Sequence, residues 1–463
     1  MFIERKKPSE IISWILVIVF FPGIGFMLYL LLGETTSMKM ASQFAKKMRF
    51  DRLIREVRGN RSDGGDGENR EQVEGALRKD WDMILMNERM DGSLLTLDND
   101  IEIFTDAKEK YEALYRDIEA AKTSIHLVYF IFSADKVGKR FIDLLAKKAQ
   151  EGVEVRLLYD TIGSLFTRFG SFRPIIAAGG SVSRFFPLIN VLKLNYRNHR
   201  KIAVIDGAIA YTGGINIGKA YIGEHRRARP WRDTHLRITG SGVSAFQERF
   251  FMDWIYTAHE SFDFSAPQVL DRYFPKTQTG AGSIAMQVVS SGPDVEGENI
   301  KYGYMKMITR AKKTLYMQSP YFIPDDSFMA SLKIAVDSGV DVRIILPGIP
   351  DKPVIYKITT YYIGELLRAG VKVYLYNGFI HAKMFVIDGS VTSIGTTNID
   401  IRSFLLDFEI NAFIYDQAFS ERCEQIFRTD MENSREIFFD EHNRRSIFKK
   451  LLETVLRILS PLI

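Results

Sequence analysis

The chain has 463 residues, of which 46% are hydrophobic and 26% are charged, and its formal net charge is +5. This is the composition of a globular protein that is long enough for two domains, or for two fused repeats with extra segments. The charge is too mild to indicate nucleic-acid binding, although it suits phosphate groups or an acidic membrane surface. The single cysteine, Cys423, excludes an intrachain disulfide and a cysteine-based metal site.

The first feature along the chain is an uncharged apolar run over residues 11–32. Its length is sufficient to cross a bilayer as a helix, which predicts a retained membrane span. The competing interpretation is a signal peptide, because residues 5–7 form a basic leader, but no small-residue cleavage site follows the run. Pro22 and Gly23 lie in the middle of the run, so a kinked or re-entrant segment stays open.

The segment after the apolar run is basic. Residues 36–58 predict a partly amphipathic helix along the membrane surface, with an ordinary solvated helix as the alternative. Residues 1–58 are therefore expected to form the membrane segment and its juxtamembrane helix. Basic side chains are more numerous after the run than before it, so the positive-inside rule favours a cytoplasmic main domain. Residues 60–72 contain no apolar side chain, which predicts a flexible linker over 59–73.

The body of the chain repeats itself. Residues 121–130 resemble residues 311–320, and residues 152–158 resemble residues 339–345. Strands that alternate with helices in this way predict an α/β fold of two fused repeats. Each repeat is expected to form a mainly parallel sheet flanked by helices, and the two are expected to be related by a pseudo-twofold axis. The predicted domains are the first repeat over 74–270, the second repeat over 271–445 and an amphipathic C-terminal helix over 446–463.

The C-terminal segment carries apolar side chains at helical spacing from Ile447 to Leu459. Lys449, Lys450 and Arg457 lie mostly on the opposite face. Two interpretations stay open: a helix that docks on the domain, or a second contact with the membrane surface.

The most specific feature is a motif that occurs twice at matched spacing. In the first copy Lys201 lies two residues after His199, Asp206 seven after, Gly213 fourteen after and Asn216 seventeen after. One such match could be accidental, but two with the same glycine and asparagine behind them could not. The two copies predict one phosphate-handling active site built from two halves. The second copy consists of His381, Lys383, Asp388, Gly395 and Asn398.

Strand geometry divides the motif into two parts. Side chains alternate along a strand, so the histidine and the lysine of each copy point to the same face. Asp206 and Asp388 have the opposite parity, and we expect them to support the site by bracing the turn that follows each strand.

Two histidines that face one phosphorus can divide the chemistry, because one can attack while the other protonates the leaving oxygen. The two lysines are expected to neutralise the phosphoryl oxygens, and Asn216 and Asn398 to donate amide hydrogens to them. Thr396 would add a hydroxyl where its counterpart Gly214 offers only backbone, which predicts unequal roles for the two halves. No metal or cofactor is expected, because the sequence lacks a recognised metal-binding motif and a Walker loop.

Each imidazole also needs a partner for its other ring nitrogen. Asp233 and Glu409 lie on predicted strands that follow the first and the second motif. We predict that they are the orienting carboxylates. The alternative for each is a structural salt bridge, because perturbed carboxylates are often only structural.

The paired motif resembles that of the phospholipase D superfamily, whose hallmark is two HKD motifs. Within this superfamily the chain closely resembles the bacterial cardiolipin synthases, and the resemblance covers essentially its whole length. Beyond the HKD motifs, the segments that carry it are residues 22–25, 210–216, 291–293, 319–326, 395–403 and 460–463.

The resemblance implies a two-step transfer. One histidine attacks the phosphorus of phosphatidylglycerol to form a phosphatidyl-histidine, and the other protonates the departing glycerol. The second histidine then deprotonates a hydroxyl of another phosphatidylglycerol, which gives cardiolipin. By family analogy His199 is the nucleophile and His381 the acid and base, and Thr396 leaves the reverse order open. The family commonly has two N-terminal spans, whereas this chain has one strong apolar run.

The resemblance also implies the surroundings of the enzyme. Its lipid partners would be phosphatidylglycerol and cardiolipin on an anionic membrane surface, without a cofactor and without nucleic acid. Its location would be the bacterial inner membrane, with the catalytic domain on the cytoplasmic side. An oligomer is left open, since no sequence feature indicates one.

Two other classes of function remain. A hydrolase of the same fold, acting on lipids or on nucleic acid, would use the same histidines with water as the acceptor. A nuclease would not need the apolar run over 11–32, and a stronger basic surface would be expected. A non-catalytic membrane scaffold is opposed by the two intact HKD motifs.

Overall fold

A computed structural model describes residues 8–32, 73–186, 195–224, 230–275, 282–295 and 297–458. The predicted juxtamembrane helix over 36–58 lies outside the described residues, as does the predicted linker apart from its last residue.

The N-terminal apolar run forms two helices, α1 (Pro8–Phe20) and α2 (Pro22–Leu32). Pro22 has no N–H with which to continue α1, so it begins a new helix. The rings of Trp14 and Tyr29 pack edge to face with 5.3 Å between their centroids, so α2 folds back against α1 as a hairpin. No helix in the described ranges is long and apolar enough to cross a membrane. The apolar run is thus broken at Pro22, which is the kinked form that the sequence left open, and the membrane segment over 11–32 stays a prediction.

The first repeat follows helix α3 (Trp81–Asp91). Short 3-10 helices at Phe169–Phe172 and Lys219–Ile222 lie between its elements. The strands and helices of the first repeat are β1 (Thr96–Phe104), α4 (Ala107–Ala120), β2 (Ser124–Tyr129), α5 (Lys136–Gln150), β3 (Glu154–Asp160), α6 (Arg173–Ala177), β4 (Ser181–Phe185), β5 (Arg197–Asn198), β6 (Lys201–Ile205), β7 (Ile209–Gly213), β8 (Trp231–Arg232), β9 (His235–Thr239), α7 (Val243–Ala258) and α8 (Pro267–Tyr273).

The second repeat has the same succession of core elements and ends in extra helices. Its elements are β10 (Ile284–Ser291), α9 (Asn299–Arg310), β11 (Thr314–Gln318), β12 (Phe322–Ile323), α10 (Asp326–Asp337), β13 (Asp341–Pro347), α11 (Pro353–Arg368), β14 (Lys372–Tyr376), β15 (Phe379–Ile380), β16 (Met384–Ile387), β17 (Val391–Gly395), β18 (Ile399–Asp400), α12 (Ile401–Leu405), β19 (Asp407–Ile414), α13 (Gln417–Glu432), β20 (Ser434–Ile437), α14 (Phe439–Asn443) and α15 (Ile447–Ile458).

One large sheet joins the two repeats. Its strand order is β20-β14-β13-β11-β16-β17-β19-β10-β1-β9-β7-β6-β2-β3-β4. The antiparallel pair β10–β1 is the junction, and the strands on either side of it succeed one another in equivalent order. This arrangement confirms the α/β fold of two pseudo-twofold-related repeats. The exact limits predicted for the domains stay a prediction.

The sheet is mixed, where a mainly parallel sheet was expected for each repeat. The parallel pairings of the large sheet's main path are confined to β2-β3-β4 and β11-β13-β14, and its other pairings are antiparallel. A tight turn after each HKD strand accounts for two of the antiparallel pairings, β6–β7 and β16–β17. Asp206 and Gly207 have φ of 53° and 64°, and Asp388 and Gly389 have φ of 51° and 58°. Such short turns connect strands antiparallel, whereas parallel strands need a long crossover.

The two repeats share a hydrophobic core. Side chains from α7 and the strands of the first repeat, such as Phe250 and Ile238, are fully buried in one cluster with Val386 and Ile410 of the second repeat. Burial of this much apolar surface across the junction holds the halves together as one unit. The positions of the two HKD motifs are thereby set relative to each other.

Candidate active site

Each HKD histidine is held by backbone from the opposite repeat. His199 follows β5, which pairs in parallel with β19, and its N–H donates to the carbonyl of Phe408 at 3.0 Å. His381 follows β15, which pairs in parallel with β8, and its N–H donates to the carbonyl of Arg232 at 2.7 Å. The site can form only when both repeats are in place.

The two histidines line one cavity of about 300 Å³. Asn216 and Asn398 of the two motifs line the same cavity, so the structure brings four of the predicted site residues to one space. The other side chains around it are Phe130, Ile131, Ile162, Arg197, Tyr221, Trp231, Tyr321, Ile323, Asp351, Lys352, Ile355, Asp400, Ile401, Arg402 and Asp407.

The orienting carboxylates cross between the repeats. Nδ1 of His199 lies 2.9 Å from Oε1 of Glu409, and Nδ1 of His381 lies 2.7 Å from Oδ2 of Asp233. Each carboxylate therefore serves the histidine of the other repeat, although it follows its own motif in sequence. A carboxylate on Nδ1 places the ring proton there and leaves Nε2 as the free nucleophilic nitrogen.

Burial dominates the electrostatics of both histidines. It lowers the pKa of His381 to about 4, and together with the Lys201 and Lys383 ammonium groups it lowers the pKa of His199 well below its usual range. Burial raises the pKa of Glu409 to about 7. Burial also acts to raise the pKa of Asp233, but the His381 ring, the Lys383 ammonium group and the N–H of Thr234 together lower it. Both imidazoles are consequently neutral near pH 7, the form that can attack phosphorus or accept a proton.

The two lysines lie directly behind the histidines. Nζ of Lys201 donates to the carbonyl of His199 at 2.6 Å, and Nζ of Lys383 to the carbonyl of His381 at 2.5 Å. Burial lowers the pKa of Lys201 to about 7 and that of Lys383 to about 8. Both lysines are thus buried beside the histidines, where low polarity strengthens the effect of a positive charge.

The asparagines and Thr396 differ in their surroundings. Oδ1 of Asn216 accepts from the N–H of Ile131 at 3.0 Å, and its amide donates to the hydroxyl of Tyr221 at 2.8 Å. Asn398 donates to Ser403 at 3.2 Å, while its buried Oδ1 has no hydrogen-bond partner among the described residues. Thr396 is fully buried behind the cavity and donates its hydroxyl to Glu409. The structure therefore places Thr396 on a carboxylate, and its predicted phosphate contact stays a prediction.

Asp206 and Asp388 stand outside the cavity, at the tight turns. The carboxylate of Asp206 accepts hydrogen bonds from the N–H groups of residues 122–124 at 2.7–2.9 Å. The carboxylate of Asp388 does the same for residues 312–314 at 2.7–2.9 Å. Each aspartate ties the turn after its HKD strand to the start of the neighbouring strand.

Sequence reasoning missed several side chains on the cavity wall. Arg197, Tyr321, Lys352, Arg402 and Asp407 belong to no HKD motif, yet all line the cavity. Two signals were present: Arg197 shares the strand parity of His199, and Asp407 that of Glu409. The others lie on loops and short helices whose positions depend on how the two repeats pack.

The fold is shared with a phosphatidylserine synthase from Haemophilus influenzae Rd KW20. Its crystal structure superimposes with a TM-score of 0.63 at 15% sequence identity, and the match covers 83% of this chain and 100% of that one. At this identity the likeness concerns the fold, which is that of two phospholipase D-like repeats.

Sequence comparisons define the family more closely. The family described as "Cardiolipin synthase, PLD-like domain" matches residues 114–230 and 304–431, and "Phospholipase_D-nuclease N-terminal" matches residues 1–34. The cardiolipin synthase of Listeria monocytogenes serotype 4b (strain CLIP80459) is 44% identical over 100% of this chain and 95% of its own length. That of Staphylococcus aureus (strain Mu50 / ATCC 700699) is also 44% identical, over 100% of this chain and 93% of its own. The chain belongs to the cardiolipin synthase family.

Proposed function

We propose that the protein forms cardiolipin by transferring the phosphatidyl group of one phosphatidylglycerol to a hydroxyl of another, with release of glycerol. The observation that carries the mechanism is the pair of neutral imidazoles on one cavity, each with Nδ1 on a buried carboxylate of the opposite repeat. Family membership supports the phosphatidyltransferase class and phospholipid substrates.

The first step forms a phosphatidyl-enzyme. Nε2 of His199 attacks the phosphorus, a P–N bond forms, and the P–O bond to the headgroup glycerol breaks. The negative charge of the bound phosphodiester favours the imidazolium form of His381, which takes a proton from solvent or keeps the one received from the acceptor hydroxyl of the previous turnover, and His381 gives this proton to the departing oxygen. Charge on the phosphoryl oxygens is stabilised by the lysines and by the amides of Asn216 and Asn398. The family resemblance supports His199 as the nucleophile, and the reverse order of the histidines is an outcome of the tests below.

The second step reverses the roles. A hydroxyl of the second phosphatidylglycerol gives its proton to the neutral acid-base histidine, attacks the phosphorus and breaks the P–N bond. The nucleophilic histidine is released and cardiolipin is complete. No oxidant, nucleotide or energy source is consumed, because one phosphodiester bond replaces another.

The test of this function is the incubation of purified protein with phosphatidylglycerol vesicles, without added metal or nucleotide and with a chelator present. We expect cardiolipin and free glycerol in equal amounts, measured by mass spectrometry of the lipids and enzymatic assay of the glycerol. Phosphatidic acid with little cardiolipin would instead mean that water is the acceptor, and the hydrolase interpretation would replace this one.

We further propose that the protein works on an anionic membrane surface at the bacterial inner membrane, with its catalytic domain in the cytoplasm. Helix α15 is docked on the domain through Glu453 and Leu456 but turns an apolar face outward. Its end meets the N-terminal hairpin, since the hydroxyl of Ser13 donates to the carbonyl of Ile458 at 2.8 Å. The exposed apolar side chains of the two elements are Ile12, Ile15, Val19, Phe20, Phe21, Ile24, Phe26, Met27, Ile447, Phe448, Leu451, Leu452, Val455 and Ile458.

Vesicle binding tests this surface. Phe448 and Leu451 are 79% and 61% exposed on α15, so their replacement by aspartate removes apolar contact with lipid without disturbing the core. We expect the double variant to bind phosphatidylglycerol vesicles about tenfold or more weakly in a sedimentation assay, because each large apolar side chain contributes roughly 1.5–3 kcal/mol when buried. The matched control is Ile334→Asp, at a 61% exposed position on α10. Equal binding of the double variant and the control would exclude α15 from the membrane contact.

A further inference from the structure

The two repeats place different side chains at matching positions beside the catalytic histidines. Two residues before each HKD histidine stand Arg197 and Phe379, and two residues before each orienting carboxylate stand Trp231 and Asp407. The backbone pairs these residues across the repeats, Arg197 with Asp407 and Trp231 with Phe379. One pair is charged, whereas the other is aromatic with ring centroids 4.9 Å apart. The pseudo-twofold site therefore has one ionic side and one apolar side.

Arg197, the arginine of the ionic side, makes few polar contacts with the rest of the protein. Its side chain is half-buried on the cavity wall, and its Nη1 donates to the carbonyl of Tyr196 at 2.8 Å. Among the described residues, this is its only hydrogen bond from the guanidinium, and no carboxylate lies within 4.0 Å of it. A guanidinium has five N–H donors in a planar fork, so one hydrogen bond to the protein leaves most of them available to a ligand in the cavity that Arg197 lines.

Arg402 completes the ionic side. Its Nη1 donates to Oδ1 of Asn195 at 3.1 Å, its Nη2 to the carbonyl of the same residue, and its Nε lies 3.3 Å from Asp407. Arg402 is thereby fixed in place beside Arg197. Both arginines neighbour Asp407, because Arg197 is its partner across the β5–β19 pairing and Arg402 forms the ion pair with it. Burial and the Arg402 charge lower the pKa of Arg197, against the opposing effect of Asp160 and Asp407. Like charges directed into one polar cavity are stabilised by an anion between them.

The carboxylates of the cavity wall are already occupied. Asp400 caps α12 by accepting from the N–H of Ser403 at 2.7 Å, and Asp351 accepts from the hydroxyl of Tyr321 at 2.5 Å. Asp407 forms the ion pair with Arg402. None of them forms an ion pair with Arg197 in the described part of the chain, so they do not fill the place of an anionic ligand.

We propose that Arg197 and Arg402 form a second phosphate subsite, which binds the phosphodiester of the acceptor phospholipid. This inference rests on the proposed function and extends it to the choice of acceptor. In phosphatidylglycerol only the three carbons of the headgroup glycerol separate the attacking hydroxyl from the lipid's own phosphate. When that hydroxyl reaches the reacting phosphorus, the second phosphate must lie in or at the mouth of the same cavity. The lysines and asparagines serve the reacting phosphate, and the planar fork of Arg197 suits the two free oxygens of the other.

The subsite explains how a lipid hydroxyl competes with smaller acceptors. Water and free glycerol carry no phosphate and gain nothing from Arg197. An acceptor phospholipid gains charge-assisted hydrogen bonds that orient its hydroxyl toward the phosphatidyl-histidine. The prediction is therefore specific: loss of Arg197 lowers transfer to a lipid acceptor and spares transfer to a neutral one.

The experiment measures both transfers with one enzyme preparation. Full-length protein is incubated with phosphatidylglycerol vesicles and isotopically labelled glycerol, and mass spectrometry follows cardiolipin and labelled phosphatidylglycerol together. In Arg197→Gln we expect cardiolipin formation to fall about tenfold or more, the loss typical of a charged hydrogen-bonding partner. Labelled glycerol should enter phosphatidylglycerol at a rate within about twofold of the original protein, since that acceptor makes no contact with Arg197. Arg197→Lys should recover part of the cardiolipin, because it restores the charge without the fork.

The matched control is Arg184→Gln, an exposed arginine on β4 outside the cavity, which should change neither rate. An equal fall of both rates in Arg197→Gln, or no fall in either, would overturn the second phosphate subsite. If the unaltered protein forms neither product, the proposed function itself fails, so the two failures are distinguishable.

Discussion

Replacement of His199 or His381 by asparagine is expected to lower cardiolipin formation by about 10³-fold or more, because each residue is needed in both steps of the transfer. Asparagine can keep a hydrogen bond to Glu409 or Asp233, so the variants should fold while lacking the Nε2 atom that reacts. The measurement is the initial rate of cardiolipin release from phosphatidylglycerol vesicles. His259→Asn is the matched control, since His259 is exposed at the end of α7 with a positive φ of 55° that asparagine tolerates.

A donor with an activated leaving group separates the two roles. Phosphatidyl-p-nitrophenol releases a phenolate that needs no proton, so loss of the acid does not prevent the first step. If His199 is the nucleophile, His381→Asn should still release a burst of p-nitrophenol and trap a phosphatidyl-enzyme, whereas His199→Asn should do neither. The opposite result would reverse the assignment. Full cardiolipin synthesis in either variant would rule out the two-histidine mechanism.

The second large effect concerns the two orienting carboxylates. We expect Glu409→Gln and Asp233→Asn each to lower the rate of cardiolipin formation by roughly 10²–10⁴-fold, because the amide no longer holds the imidazole in its reactive tautomer.

The two variants should differ in the pH dependence of the remaining rate. Burial raises the pKa of Glu409 to about 7, whereas the pKa of Asp233 is lowered. The ionised carboxylate accepts from Nδ1–H more strongly than the neutral acid does, so the rate of the unaltered protein should fall as the pH drops below about 7.

The pH profiles of the two variants identify the carboxylate whose protonation causes the fall in rate. Glu409→Gln has no carboxylate to protonate and should lose the decline near pH 7, while Asp233→Asn should retain it. The pH profile of the initial rate between about pH 5 and pH 9 measures both. Glu421→Gln, at an exposed position on α13, is the control and should reproduce the original profile. A decline that persists unchanged in Glu409→Gln would mean that another group is responsible.

Local sequence patterns were sufficient for much of the site. The offsets from His199 to Asn216 and from His381 to Asn398 predicted the paired site, and strand parity separated Asp206 and Asp388 from the cavity. These inferences succeed because neighbours along a strand have a geometry that the backbone alone determines.

Where the sequence left the fold open or predicted the wrong strand direction, a local breaker or turn decided the outcome. The run over 11–32 has the length of a span, but Pro22 ends the first helix and the second folds back on it. The sheet was expected to be mainly parallel from the alternation of strands and helices. The positive-φ turns at Asp206 and Asp388 instead return each HKD strand as an antiparallel hairpin.

Residue type and spacing within one strand were enough to predict the class of chemistry, the two repeats and the residues that belong to each motif. The partner carboxylate of each histidine could be learned only from the fold, because β5 pairs with β19 and β15 pairs with β8 across the junction. The same pairings place Asp407 beside Arg197 and Arg402, and Trp231 beside His381. Contacts between residues some 200 positions apart depend on how the strands of the two repeats join in one sheet, and no local sequence pattern encodes that arrangement.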